Sequence, residues 1–553
     1  MKTESAPKKP KQLVASWKAL KKAFLRPENE ASKNVLIKYM RPIMFGLHDF
    51  LNKHVGVTEK AALKDISGRF RNTIIKENPE KTLAEVITDL IENIAPHAVN
   101  VASPYFIGHM TSAIPFFMVH FKTIVTALNQ NVVKLETSKV VSILEKQLIT
   151  KMHRLLYNNA DSFYVKHVQC PDTTLGCFIE DGTLANITAL WVARNNLFAP
   201  KNGFEGVERD GLHAAYQAYG IKKCVILASR LGHFSLRKAG GLLGIGNDNV
   251  IGIEVDENNK IDLNSLRKTI KDFTKESAKI KILAVVGIAG TTETGTVDPL
   301  PEVGEICKEN HIHFHVDAAW GGPTIMSKKY RHLLNGIEAA DSITIDGHKQ
   351  LYMPMTCGMV YFKDPKGMEP IAYHSNYVNR PGSVDLGIKS IAGSREANSI
   401  ILDSTLKIMG TQGYALLIEH GIETASKFAE EIKARPDFQL ITPPELNILT
   451  YRFCPFKVQR KLMESDSHEK RNINKKLNEI NRLIQITQRE AGNSFVSRTI
   501  LYLLNEDKDG IVVLRCVIMN PLTDMKILNE ILYEQEQIAE DVLNYKNCDQ
   551  QRP

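Results

Sequence analysis

The stretch "IHFHVDAAWGG", Ile312 to Gly322, decides the fold. It starts as an apolar strand, carries one carboxylate, Asp317, where that strand should be ending, and closes in small residues. A second stretch, "DSITIDGHKQ" (Asp341 to Gln350), repeats the arrangement with a lysine, Lys349, beyond another apolar run. Taking a carboxylate or an ammonium out of water costs several kcal/mol unless it is paired. Two opposite charges at the tips of two core strands therefore call for a common partner.

Outward from these two stretches, short β-rich runs alternate with helical ones from about 135 to 385. The runs are "CVILAS" (224–229), "VIGIEV" (250–255), "ILAVVGIAG" (282–290), "IHFHVDAA" (312–319), "SITID" (342–346) and "GMVYFK" (358–363). Amphipathic stretches such as "LNSLRKTIKDF" (263–273) and "LPEVGEICKEN" (300–310) separate them. This rhythm predicts an α/β fold, a mainly parallel sheet with helices on both faces. Such sheets bind ligands at the carboxyl ends of their strands. Residues 1–100 read as a basic arm and a helical segment, with "LAEVITDLIENIA" (83–95) at helical spacing. Past about 395, a helix-rich segment leads to the β candidates "LNILTYRF" (446–453) and "GIVVLRCVIM" (510–519), with a charged helical stretch between them. The expected division is an N-terminal segment over 1–100, a large α/β domain over 101–390 and a smaller α+β domain over 391–553.

The 553 residues are 43% hydrophobic and 24% charged, an ordinary globular composition with ample core material. No apolar run reaches the roughly 18–20 residues that would span a bilayer. The basic N-terminus lacks the apolar centre of a secretion signal. Eight scattered cysteines with no CxxC pair read as free thiols in a reducing, cytoplasmic setting. The net charge of +8 is modest, and the basic residues are not interleaved with aromatics, so neither nucleic acid nor a membrane is an expected partner.

One ligand suits a strand-end acid beside a strand-end lysine. Pyridoxal 5'-phosphate has an aldehyde, a ring nitrogen and a phosphate. The lysine forms a Schiff base with the aldehyde, and the acid keeps the ring nitrogen protonated, so that the ring withdraws electrons from a carbanion at the substrate's α-carbon.

At this point "HVDAAWGG…ADSITIDGHK" resembles the signature of the group II pyridoxal-phosphate amino-acid decarboxylases, which include glutamate decarboxylase. The resemblance runs from about Pro104 to Arg395. It implies a fold-type I enzyme with a seven-stranded sheet, a homodimer with shared active sites, and α-decarboxylation of an amino acid. "DGHKQLYMPMTCG" departs from the common family form by placing Gly347, not proline, before the histidine. That form is similar to a bacterial branch of aspartate 1-decarboxylases, which implies an acidic substrate, aspartate giving β-alanine or glutamate giving GABA. An aminotransferase, or a decarboxylase of sulfinic or aromatic amino acids, is the alternative within the fold.

The resemblance also assigns site residues. Lys349 is the covalent anchor and Asp317 the partner of the ring nitrogen. His233, in "LGHFSL", is the imidazole stacked on the ring. Gly182 and Thr183, in "EDGTLANITAL", open a helix whose amides and dipole favour a phosphate. Thr291 lies at a strand end near the cofactor. His348 contacts the phosphate close to the reacting centre, and Ser394 binds phosphate from the neighbouring subunit. Tyr377, on the glycine- and proline-punctuated segment 372–390, is the expected proton donor, with Tyr373 and His348 as alternatives. Asn129, Gln130 and Arg395 are expected to contact the substrate, with Arg380 a second choice for its side-chain carboxylate. A rival reading makes His311, His313, His315 and Asp317 a hydrolase metal site on one strand face. Alternate residues on a strand lie nearly 7 Å apart (about twice the 3.3 Å rise), too far for all four to close on one ion. No metal is therefore expected.

Overall fold

The computed structural model describes residues 16–17, 30–51, 55–56, 63–375, 383–502 and 510–549. Seven strands form the large sheet: β1 (Gly176–Ile179), β2 (Lys223–Ser229), β3 (Val250–Ile253), β4 (Ile280–Ile288), β5 (His313–Asp317), β6 (Ser342–Asp346) and β7 (Gly358–Phe362). Their order is β1-β7-β6-β5-β4-β2-β3. β7 runs antiparallel to β1 and β6, and the pairs from β6 through β5, β4 and β2 to β3 are parallel. Each of the six expected runs forms a strand, and β1 is an additional edge strand.

A parallel strand covered on both faces must be apolar throughout, because alternate side chains serve different layers. In β2, Cys224, Ile226 and Ala228 pack with Ile187 and Leu190 of the helix Gly182–Leu197. Val225 and Leu227 point the other way, into the layer of Leu266, Ile270, Val303 and Ile306 from the helices Leu263–Phe273 and Leu300–Glu309. The helix Gly182–Leu197 has no charged residue before Arg194, and ten of its residues are buried. Its first residue, Gly182, lies against Asp346 at the carboxyl end of β6.

The chain then runs through the long helix Ser399–Ala434, bent at Gly410, into a four-stranded antiparallel sheet. Its order is β10 (Ser497–Leu501), β11 (Ile511–Val517), β9 (Ile448–Phe453), β8 (Phe438–Thr442). Asp466 caps the charged helix Ser467–Ala491 by accepting from the amides of His468 and Glu469. Near the N-terminus, the expected helix over 83–95 is α-helical only to Asp89; a wider π turn follows, and Pro96 sits in a closing 3₁₀ turn. Among the described residues no helix is long and apolar enough to cross a membrane.

Candidate active site

The carboxyl ends of β4, β5 and β6 open onto one cavity of about 310 Å³. Ile288, Asp317 and Asp346, the last residues of those strands, all line it. So do Lys349, His348, His233, Gly182 and Thr183. Six residues expected at the site from sequence are thus brought to one space, within the size range of small-molecule sites.

Asp317 is buried, and its carboxylate is held at both oxygens. Oδ1 accepts from the Ala319 amide at 3.2 Å and Oδ2 accepts from Asn186 Nδ2 at 2.8 Å. Lys349 Nζ lies 2.9 Å from Asp346 Oδ2, and Asp346 Oδ1 is buried with no hydrogen-bond partner. His348 Nδ1 lies 2.8 Å from the Cys357 carbonyl and 3.2 Å from the Cys357 amide, and its Nε2 is 3.8 Å from Asp346 Oδ2. A Cβ at position 347 would meet Cys357 Sγ at 2.5 Å, a close approach that accounts for Gly347. Burial pushes the His233 imidazole below its ordinary pKa, against the pull of Asp317.

The phosphate end is built from backbone. Asp181 caps the helix through the Leu184 amide at 2.9 Å, while the first helical amides have no intrahelical acceptor. A Cβ at Gly182 would come within 2.7 Å of Asp346 Oδ2, so only glycine lets the helix start this close to the lysine's partner. An amine, an acceptor-only carboxylate and an open helix N-terminus around one cavity fit the three functional ends of pyridoxal phosphate.

Other expected residues are placed elsewhere. Thr291 is buried in a cluster with Thr294 and Thr296, its Oγ1 2.6 Å and 3.1 Å from theirs, and it is the next residue, Thr292, that lines the cavity. Arg395 is committed to a buried ion pair with both oxygens of Glu145, because a guanidinium taken into the core must find a carboxylate there. Asn129 ends the helix Phe116–Leu128 in a left-handed conformation, Gln130 Nε2 donates to the Leu128 carbonyl at 2.8 Å, and Ser394 accepts from Asn131 Nδ2 at 3.3 Å. None of these four lines the cavity within this chain. The Tyr373 hydroxyl donates to Glu208 on the protein's surface. Tyr377 and Arg380 lie outside the described residues. His311 precedes β5, in a turn with φ of 52°, so the four alternating side chains of the metal reading do not share a strand. His313 and His315 instead both face Ser342 Oγ, at 2.8 Å and 2.9 Å.

Sequence reasoning missed Arg515. It stands in β11 among residues that are all buried, and is itself only 7% exposed. Its Nε donates to the Thr292 carbonyl at 2.6 Å, and its Nη1 reaches the Gly108 carbonyl and Ser497 Oγ, both at 3.3 Å. Thr292 and His109, which follows Gly108, line the cavity, so this guanidinium sits directly behind its wall. Its Nη2 is buried without a hydrogen-bond partner. Burial pushes its pKa down to about 10, opposed by Glu293, and burial together with the charge of Arg515 lowers that of His109. The signal in the sequence was an arginine inside the apolar run "VVLRCVIM".

The sheet, the strand-end acid and the strand-end lysine define a pyridoxal-phosphate enzyme of fold type I. Residues 69–454 match the model of the pyridoxal-dependent decarboxylase conserved domain, and the chain belongs to that family of carboxy-lyases. The aspartate 1-decarboxylase of Aliivibrio fischeri is 44% identical over 525 residues, 95% of each chain. An L-2,4-diaminobutyrate decarboxylase of Acinetobacter baumannii is 29% identical over 378 residues, 66% of this chain and 70% of that one. The crystal structure of mouse CSAD shares the fold, with a TM-score of 0.78 at 21% identity over 92% of this chain and 99% of that one.

Proposed function

We propose that this protein α-decarboxylates an acidic amino acid, aspartate before glutamate, with Lys349 as the covalent anchor. The observation that carries the acidic substrate is Arg515, a buried guanidinium with a spare Nη2 behind the cavity wall. Arginine keeps its charge and binds carboxylates through paired N–H groups. The Aliivibrio fischeri relative, named for aspartate, supports the same reading.

When bound, pyridoxal phosphate supplies an electron sink for the charge left on the α-carbon as carbon dioxide departs. Asp346 Oδ2, 2.9 Å from Lys349 Nζ, holds the lysine side chain oriented in the cavity. Two N–H groups, from Asn186 and Ala319, fix the Asp317 carboxylate in place as the acceptor for the ring nitrogen. The charge of Arg515, behind the wall at Thr292 and His109, would draw the substrate's far carboxylate to that end of the cavity, and a substrate oriented at both ends would present one chosen α-bond for cleavage. His233, which lines the cavity, would cover the cofactor ring when it is bound, and the family resemblance gives Tyr377 the return of the proton to the α-carbon.

A second copy of the chain belongs to this reading. Phe116, Ile124, Leu128, Val140 and Ile143 are exposed beside the Asn129–Asn131 and Ser394 cluster, an apolar surface of the kind a partner subunit covers. Cys170, Cys177, Cys224, Cys307, Cys357, Cys454 and Cys516 are free, in keeping with a cytoplasmic enzyme. Incubation with aspartate, glutamate and cysteine sulfinate side by side tests the assignment. The expected outcome is carbon dioxide with β-alanine as the fastest-formed amine. An oxo acid without gas release would overturn the decarboxylase reading, and preference for an aromatic substrate would overturn the role given to Arg515.

A further inference from the structure

The alternating histidines of β5 have a use that neither a metal nor the reaction's own groups account for. His315 is fully buried, on the same strand face as Asp317, and burial holds it neutral. Its Nε2 lies 3.0 Å from Asn186 Oδ1. The Asn186 amide nitrogen donates 2.8 Å to Asp317 Oδ2 and 3.0 Å to Ser235 Oγ. Ser235 Oγ in turn lies 2.9 Å from His233 Nδ1, and the Ser235 amide donates to the same nitrogen at 3.3 Å.

Donor and acceptor capacities assign every proton in this chain. An ionised carboxylate only accepts, so the NH₂ group of Asn186 must face Asp317 and its Oδ1 must face His315. His315 then carries its proton on Nε2 and accepts at Nδ1 from the Ser342 hydroxyl, 2.9 Å away. Ser342 accepts from His313 Nε2 at 2.8 Å. On the other branch, Ser235 accepts from Asn186 and donates to His233 Nδ1, which leaves the proton of neutral His233 on Nε2.

We propose that Asn186, oriented by His315, is a positioning residue that couples the ring-nitrogen acid to the stacking imidazole, fixing the Asp317 carboxylate and the tautomer of His233 together. The reason is geometric. One amide group serves both, and a flipped amide would turn its oxygen toward the carboxylate and the serine while leaving His315 facing a donor. The histidine of the strand is thus the key that keeps the amide from flipping.

The test uses apoenzyme prepared from the full chain, titrated with pyridoxal 5'-phosphate and with its 1-deaza analogue, which has no ring nitrogen. Asn186→Ala and His315→Phe are expected to weaken binding of the natural cofactor about 10- to 100-fold, the loss of a hydrogen bond to a charged group. His315→Gln, which retains an N–H donor, restores most of it. The analogue binds all four proteins alike. Equal losses for both ligands would mean general damage to the cavity and would overturn the proposal, as would unchanged binding of the natural cofactor. If Asn186→Ala does not fold, the two His315 variants carry the comparison. A measurement on the unmodified apoenzyme needs no substitution: ¹⁵N chemical shifts should report Nε2–H tautomers for His315 and His233, and an Nδ1–H tautomer at either would refute the assignment.

Discussion

Replacing Arg515 with methionine should convert a preference for two-carboxylate substrates into indifference. Methionine keeps much of the buried length and removes the charge. At an effective dielectric constant of about 20, opposite charges about 6–10 Å apart attract by about 1.5–3 kcal/mol. At a tenfold change per roughly 1.4 kcal/mol, kcat/KM for aspartate should fall about 10- to 150-fold. Arg515 also holds the carbonyls of Thr292 and Gly108, so part of any loss could come from a loosened wall. The assay therefore compares aspartate with 2-aminobutyrate, which has the same backbone groups and no second carboxylate. The variant should lose aspartate turnover and keep the slow reaction of 2-aminobutyrate. Arg515→Lys, which retains charge but not the fork, should fall between. Equal losses for both substrates, or no loss for aspartate, would refute the reasoning.

Lys349→Ala should leave the fold intact and abolish turnover; borohydride reduction, which bleaches the parent's visible band and leaves the cofactor covalently on Lys349, should leave none attached to the variant, and substantial residual decarboxylation would contradict the anchor's role. Glu145→Ala should lower stability by about 3 kcal/mol in chemical denaturation, because it strands a buried guanidinium, and the double variant with Arg395→Met should recover much of it. His153, pushed down to about 4 by burial, donates from Nε2 to the Phe362 carbonyl at 3.1 Å. Its folded pKa lies below its unfolded value of about 6.5, so its contribution is complete above that value and is lost as pH falls toward about 4. Buried Asp298, raised to about 7, works in the opposite sense, losing its contribution as pH rises from the ordinary carboxylate range. His153→Gln should therefore make the melting temperature fall less steeply between pH 6.5 and 4.5 than in the parent.

The central strands were legible because both faces of each are buried, which forces continuous apolar runs such as "CVILAS" and "SITID". β1, β8 and β10 were not, because edge strands are short or carry polar residues: "GCFI" has four residues, and "SRTIL" is exposed at alternate positions. Asp317, Lys349 and His233 could be placed because each follows a readable strand end. Arg395 was misjudged because nothing near it in the chain announces Glu145, which lies 250 positions away and becomes its partner only after folding. Asn186 was hidden for a related reason. On an almost wholly buried helix a polar residue reads as filler until its three partners, from β5 and the first residue of the helix Ser235–Leu242, are brought against it.

Strand β5 also ties chemistry to parity. It is paired on both sides, Asp317 opposite Ile288 on one flank and Thr344 on the other. Phe314 and Val316 fill the aliphatic layer, while His313, His315 and Asp317 take the opposite side. Deleting a single residue between His313 and Asp317 would exchange the two sets, sending an anion into oil and presenting valine to the ring. Evolution can repaint this segment freely within each set, but it can change its length only in steps of two.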